Sequence, residues 1–119
     1  MSLKELLDRF TLVSGLSMQE TSRYLPIIED CRAYFEERMR GELTESEKRR
    51  LTHACAVYAF YKISRIMQSE DFTSFKVGDV QFDLLSVRQN AESLWHEERE
   101  NIRDIIDLNG GFAFRRVRV

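Results

Sequence analysis

The segment from Ala54 to Tyr61, with the sequence ACAVYAFY, constrains the fold most because a helix built from it has no polar side. It lies within a stretch from Thr44 to Ser69 that contains neither proline nor glycine. Thr44 and Glu47 form a capping-box pattern, in which each side chain satisfies a backbone donor of the other residue. The stretch therefore predicts one long helix, roughly 37 Å in length at 1.5 Å per residue.

The predicted helix carries two apolar stripes. A helix that is apolar on two sides must be covered on two sides. Either it is the centre of a single-chain bundle, or its second stripe meets another subunit. The first stripe comprises Leu51, Ala54, Cys55, Tyr58 and Ile66, and the second comprises Ala56, Phe60, Ile63 and Met67. Three members of the second stripe, Phe60, Ile63 and Met67, are candidate interface residues.

Shorter helices are predicted before this one. Apolar residues at helical spacing predict a helix over 3–13, which Gly15 ends. Ser17 begins the next helix with a second capping box. Pro26 would remove a hydrogen bond and clash inside a helix, so we favour an end near Tyr24 and a new helix with Pro26 in its first turn. Gly41 is expected to end that third helix.

The stretch FKVGDVQF at 75–82 departs from the helical pattern. A two-residue turn at Gly78–Asp79 would place apolar side chains on one face of a hairpin. A helix is predicted from 84 to 108, and the tail at 112–117 reads as a strand that completes a small sheet. The expected fold is mainly α: one domain over 1–119, a helical bundle with two long helices, and a small antiparallel β element.

Composition excludes several classes of function. With 119 residues and a net charge of −2, the chain suits one compact domain without a broad basic surface. No apolar run approaches the roughly 20 residues that span a bilayer, and the expected location is the cytosol. Cys31 and Cys55 are expected to be small buried hydrophobes.

No catalytic motif is present, so no catalytic residue, cofactor or enzymatic activity is assigned. Glu92, His96 and Glu100 share a helix face at i, i+4 and i+8, which suggests a metal site as one alternative. A solvated charged face is the simpler interpretation, and no metal is assigned. Glu98 falls within the apolar stripe of the last helix. We expect that the stripe opens to solvent there, rather than that Glu98 meets another subunit.

The motifs in the second half of the chain resemble those of a known family. SFKVGDVQF follows a long helix rich in Ala, Tyr and Phe, LWHEERENI follows in the last helix, and the chain ends in GGFAFRRVRV. In this order they resemble the small head–tail connector (adaptor) proteins of long-tailed phages and prophage-like elements, over about 44–119. Val77, where the family has a small residue, and the following QFD depart from the pattern.

The resemblance implies a structural virion protein of the neck. Such a protein forms a ring, commonly dodecameric, beneath the portal protein, extends the DNA exit channel and docks the next head-completion or tail protein. It would assemble in the host cytoplasm and reside in the virion neck, with DNA only in transit. The hairpin tip and the tail would supply further interface residues: Lys76, Gly78, Asp79, Arg115, Arg116 and Arg118.

A small helical DNA-binding or regulatory protein is the alternative function. It would need a recognition helix with clustered Lys and Arg. The densest basic stretch, 48–50, lies beside Glu45 and Glu47, which argues against it.

Overall fold

The computed structural model describes residues 1–67 and 84–108, and these residues form a bundle of five helices. None of these helices is both long enough and apolar enough to cross a membrane. The helices are α1 (Leu3–Ser14), α2 (Met18–Ser22), α3 (Leu25–Glu36), α4 (Glu45–Ile66) and α5 (Leu84–Asn101).

Local signals set the helix starts as predicted. The Ser17 hydroxyl accepts from the Glu20 amide at 3.1 Å, and the Glu20 carboxylate accepts from the Ser17 amide at 3.0 Å. Thr44 and Glu47 make the same reciprocal pair at the start of α4. These bonds satisfy backbone donors that the first turn of a helix leaves unpaired.

A glycine ends α1, and a proline lies in the first turn of α3. Gly15 follows α1 with φ of 79°, a left-handed conformation that glycine adopts at little cost. Pro26 lies in the first turn of α3, where its missing N–H is not needed, so the predicted break before it is confirmed. The predicted end of α3 at Gly41 was wrong: α3 ends at Glu36, and Gly41, with φ of 67°, lies in the connection to α4.

Helix α4 is the centre of the bundle, which decides between the two solutions left open by its sequence. It packs against α1, α3 and α5. Ala54, Ala56 and Ala59 are 0 % exposed, so these small side chains lie where neighbouring helices approach. The second stripe is covered by the same chain: Phe60 is 4 %, Ile63 0 % and Met67 2 % exposed.

The predicted fold class was wrong in its β element. Over 1–67 and 84–108 the structure contains helices and no strand, and the only extended pairing there is one antiparallel bridge between Met39 and Ile106. The chain after α5 makes its backbone bonds to the end of α3: Arg40 N donates to Ile105 O and Asp107 N donates to Arg38 O. The predicted hairpin at 75–82 and strand at 112–117 lie outside the described residues.

The last helix is shorter than predicted. α5 ends at Asn101, and residues 102–105 form turns. Ile102, Ile105 and Ile106 are nonetheless buried, so the apolar pattern beyond Asn101 reflects core packing and not helical continuation. Apolar spacing alone cannot separate a last helical turn from a tight turn whose side chains reach the same core.

Candidate functional site

The nine interface residues predicted from the sequence fall into two groups. Phe60, Ile63 and Met67 are core side chains of the single chain and offer almost no surface to a partner. We therefore withdraw them from the interface, because α1, α3 and α5 already cover the stripe that carries them. The other six lie outside the described residues: Lys76, Gly78, Asp79, Arg115, Arg116 and Arg118.

A half-buried aromatic surface lies where α3 meets α4, and we define it by Tyr34, Tyr58, Tyr61 and Ile66. The Tyr34 and Tyr58 rings stack with centroids 5.5 Å apart and an angle of 20° between their planes. The Tyr61 centroid lies 6.5 Å from that of Tyr58. Ile66, at the end of α4, is 58 % exposed and extends the aromatic surface with an aliphatic side chain.

The core supports this surface from behind. Trp95 of α5 is buried, and its ring centroid lies 4.7 Å from that of Tyr58 and 6.2 Å from that of Phe35. Burial, and then the neighbouring Tyr34, raises the pKa of the Tyr58 hydroxyl to about 12. The hydroxyl therefore stays protonated at neutral pH and remains a hydrogen-bond donor.

A basic rim of Arg38, Lys62 and Arg65 flanks the aromatic surface. The Arg38 guanidinium lies 3.9 Å from the Tyr34 ring centroid and donates to the Tyr34 carbonyl at 3.1 Å. The Lys62 ammonium lies 5.7 Å from the Tyr58 centroid, and the Arg65 guanidinium lies 5.6 Å from that of Tyr61. These distances are those of cation–π contacts, which hold the positive charges over the rings.

A second polar cluster, the basic groove, lies between α1, α4 and α5 and encloses about 430 Å³. Arg50 donates to the Asn101 carbonyl and to Asp104 Oδ1, the latter at 3.1 Å. This bond lowers the pKa of the exposed Asp104 carboxyl. The side chains that line the groove and define it are Arg9, Arg49, Arg50, His53, Glu98 and Asn101.

Glu98 lines the basic groove and is mostly shielded from solvent, which differs from the expected opening of the stripe, while its contact with another subunit stays a prediction. Its carboxylate is 17 % exposed, accepts from Asn101 Nδ2 at 3.2 Å and lies 4.0 Å from His53 Nε2. The tertiary fold thus gives this carboxylate polar neighbours within its own chain. Their separation of 45 positions explains why no local pattern could predict the His53–Glu98 pair.

The remaining residues singled out in the sequence are the charged residues of α5 and the two cysteines. Glu92 and His96 are exposed, and Glu100 makes an ion pair with Arg103 at 3.0 Å. Within the described ranges, no three His, Cys, Asp or Glu side chains converge in a group that could hold a metal ion. Cys31 and Cys55 are free thiols buried in the core, as predicted.

The sequence analysis predicted neither the aromatic surface nor the basic groove, although the sequence of α4 contains a pattern that indicates the aromatic surface. Tyr58, Tyr61, Lys62 and Arg65 recur at spacings of three and four on α4, which places aromatic and basic side chains on one face. Tyr34 and Arg38 join that face from α3, and nothing in the local sequence indicates the contact.

The comparisons with known proteins identify no relative: no family model, no curated protein and no solved structure matches this chain.

Proposed function

We propose that this chain is a structural adaptor of the head–tail connector kind, which acts by docking against other structural proteins. The motif order over 44–119 supports a place in the phage neck, beneath the portal protein and above the next head-completion or tail protein. The observation that carries the proposal is the aromatic surface with its basic rim. Tyr and Arg are the side chains most enriched among residues that dominate binding energy at protein interfaces.

The docked partner at the aromatic surface is an acidic face of the portal protein. Three cations, Arg38, Lys62 and Arg65, outnumber Asp30, the one carboxylate of the described residues that lines the pocket of this surface, and the net positive border complements carboxylates on a partner. The tyrosine rings are already held by stacking against one another and against Trp95. Binding therefore costs little side-chain entropy, which favours affinity.

The test compares Ile66→Glu with Leu12→Glu in binding to the portal protein that the proposal names as the partner. Both residues are exposed aliphatic side chains: Ile66 is 58 % exposed and Leu12 is 78 % exposed. Only Ile66 belongs to the aromatic surface. We expect Ile66→Glu to weaken portal binding by about tenfold or more, because it places a carboxylate against an acidic face. Leu12→Glu should bind like the wild type.

Isothermal titration calorimetry measures the affinities, and thermal unfolding monitored by circular dichroism checks the fold of each variant. Exposed substitutions of this kind change the free energy of unfolding by about 0.5 kcal/mol or less. Absence of any binding between the wild-type chain and the portal protein would reject the proposal. Equal binding by the two variants would reject the aromatic surface as the docking site.

The alternative of a DNA-binding protein is favoured by one observation, the arginines of the basic groove. Arg9 of α1 comes together there with Arg49 and Arg50 of α4, from which it is distant in sequence. Phosphate contacts make affinity fall steeply with salt. Titration of duplex DNA at two salt concentrations tests this function, and affinity that is weak and equal for any sequence would count against it.

A further inference from the structure

Two surfaces of opposite charge lie on different sides of the described helices. One is the basic groove between α1, α4 and α5. The other is an acidic face on the outer side of α3, defined by Glu29, Asp30 and Glu37. The aromatic docking site accounts for neither surface. The groove lies elsewhere on α4, and the acidic face meets the aromatic surface only at Asp30, which lines a pocket with Tyr34 and Tyr58.

The groove carries net positive charge. Arg50 is paired with Asp104 and the Asn101 carbonyl. This leaves Arg9 and Arg49 against the single carboxylate of Glu98 among the described residues that line the groove. Arg9 and Arg49 are exposed and make no hydrogen bond or ion pair with any residue of the described ranges. Two guanidinium groups are therefore available to a ligand that carries carboxylates.

The acidic face has the complementary properties. Glu29, Asp30 and Glu37 are exposed and likewise have no bonding partner among the residues that the structure covers. Glu36, beside them, is already paired with the amino group of Met1 at 2.9 Å. The small Ala33 lies between the free carboxylates on the same exposed side of α3 and allows another surface to approach closely.

The two surfaces point in opposite directions from the central helix. α3 packs on the side of α4 that carries Tyr58, whose ring lies 5.5 Å from that of Phe35. Arg49 and His53 of the groove lie on the other side of α4. At about 100° per residue, their mean direction is roughly 180° from that of Tyr58 and Lys62. One copy can therefore present its groove while its acidic face remains open.

We propose that the acidic face of α3 in one copy docks into the basic groove of the next copy. Because the two patches are different, the contact is head-to-tail, and it closes into a ring where the rotation between copies allows it. The inference names the self-contact of the proposed adaptor and rests on that function for its biological role. It requires no portal protein and is tested without one.

A charge swap between two variants tests the contact. The groove variant carries Arg9→Glu and Arg49→Glu, and the face variant carries Glu29→Arg and Glu37→Arg, which leaves Asp30 of the aromatic pocket unchanged. Each variant alone brings like charges together and should lose self-association by at least about tenfold. An equimolar mixture pairs the reversed groove with the reversed face and each native surface with its native complement, so association should return.

The matched control carries Glu42→Arg and Glu92→Arg, which change the net charge as the face variant does but lie outside both surfaces. Sedimentation velocity over a range of concentrations to about 1 mM, in 0.1 M and 1 M salt, measures association of all forms. Association of the wild type should weaken in high salt, because the screening length falls from about 10 Å to about 3 Å. Circular dichroism checks that every variant is folded.

Three results would overturn the contact. One is a wild-type chain that stays monomeric up to about 1 mM in 0.1 M salt. Another is association that both variants retain, and the third is a folded mixture that does not recover association. Loss of duplex DNA binding in the groove variant, with self-association intact, would assign the groove to nucleic acid instead. Portal binding measured on the same variants separates failure of this contact from failure of the adaptor function.

Discussion

Cys31 and Cys55 are buried in the core, whereas a reactive thiol is partly exposed beside positive charge. Burial raises the pKa of the Cys31 thiol to about 12 from an ordinary value of 9.0, and burial raises the pKa of Cys55 further still. A thiol that stays protonated is a poor nucleophile and a poor metal ligand. At the scale of single residues, both cysteines therefore contribute packing.

The same shift predicts how stability responds to alkaline pH. In the unfolded chain each thiol loses its proton near pH 9, whereas Cys31 in the native chain keeps its proton until about pH 12. The unfolded state binds fewer protons in this window, so the free energy of unfolding should fall as pH rises above about 9. The slope is at most about 1.4 kcal/mol per pH unit for each thiol.

Urea unfolding at pH 8, 9 and 10 measures this slope. The double variant Cys31→Ala, Cys55→Ala is the control, since it lacks both thiols and should show a shallower decline. Equal slopes in the two proteins would mean that the cysteines do not titrate differently in the folded and unfolded chains.

Gly41 offers a second test at the residue scale. Its φ is 67°, and a Cβ added there would meet no atom within 4 Å, so only backbone strain opposes a larger residue. Gly41→Ala should lower the free energy of unfolding by about 1 kcal/mol. Gly41→Asn should lower it less, because Asn tolerates the left-handed region. Urea unfolding that ranks Ala equal to Gly would contradict this account.

At the scale of elements, the side chain of Arg88 caps the carboxyl end of α4. Arg88 of α5 donates to the Ser64 carbonyl at 2.9 Å and to the Met67 carbonyl at 2.6 Å. The last carbonyls of a helix have no partner within it and carry partial negative charge. A cation from a neighbouring helix therefore satisfies them and joins α5 to α4.

Arg88→Met should thus lower the free energy of unfolding by about 2 kcal/mol, since it keeps the packing of the stem and removes charged hydrogen bonds. Arg88→Lys is the matched control and should recover part of the loss, because an ammonium group can reach one carbonyl. Chemical denaturation followed by circular dichroism gives both values. A Met variant as stable as the wild type would show that water replaces the arginine without cost.

At the scale of the whole molecule, the described helices are organised around α4, which alone among them has no exposed side at its middle. α1, α3 and α5 all pack on α4, whereas the five-residue α2 packs chiefly on α1. Amides in elements with many buried neighbours open only when the whole domain unfolds. Hydrogen exchange should therefore separate the centre of the bundle from its periphery.

We expect amides of 54–60 to exchange slowest of those in the described residues, at the rate set by global unfolding. Amides of α2 should exchange faster by opening locally. Exchange measured by NMR, with the global free energy of unfolding obtained separately from urea, tests both expectations. Exchange at 54–60 as fast as in α2 would contradict a central position for α4.

Parts of the fold and site were predictable because their causes lie within a few residues. The capping boxes at Ser17 and Thr44, the stop at Gly15 and the break before Pro26 each depend on bonds or clashes over one helical turn. The apolar character of α4 on two sides could also be predicted, because it follows from the residues of 54–61 alone. The error in the length of α5 shows the limit, because its turn at 102–105 buries the same apolar pattern that a helix would.

The sequence by itself determined where the helices before α5 begin and that α4 must be covered on two sides. Only the tertiary structure decided that helices of this same chain cover both apolar stripes of α4. It also brought Tyr34 to Tyr58, Glu98 to His53, and the arginines of two helices into one groove. The physical reason is range: capping and periodicity act through neighbouring backbone groups, whereas these contacts join residues 24 or more positions apart, and no local interaction fixes which distant surfaces meet.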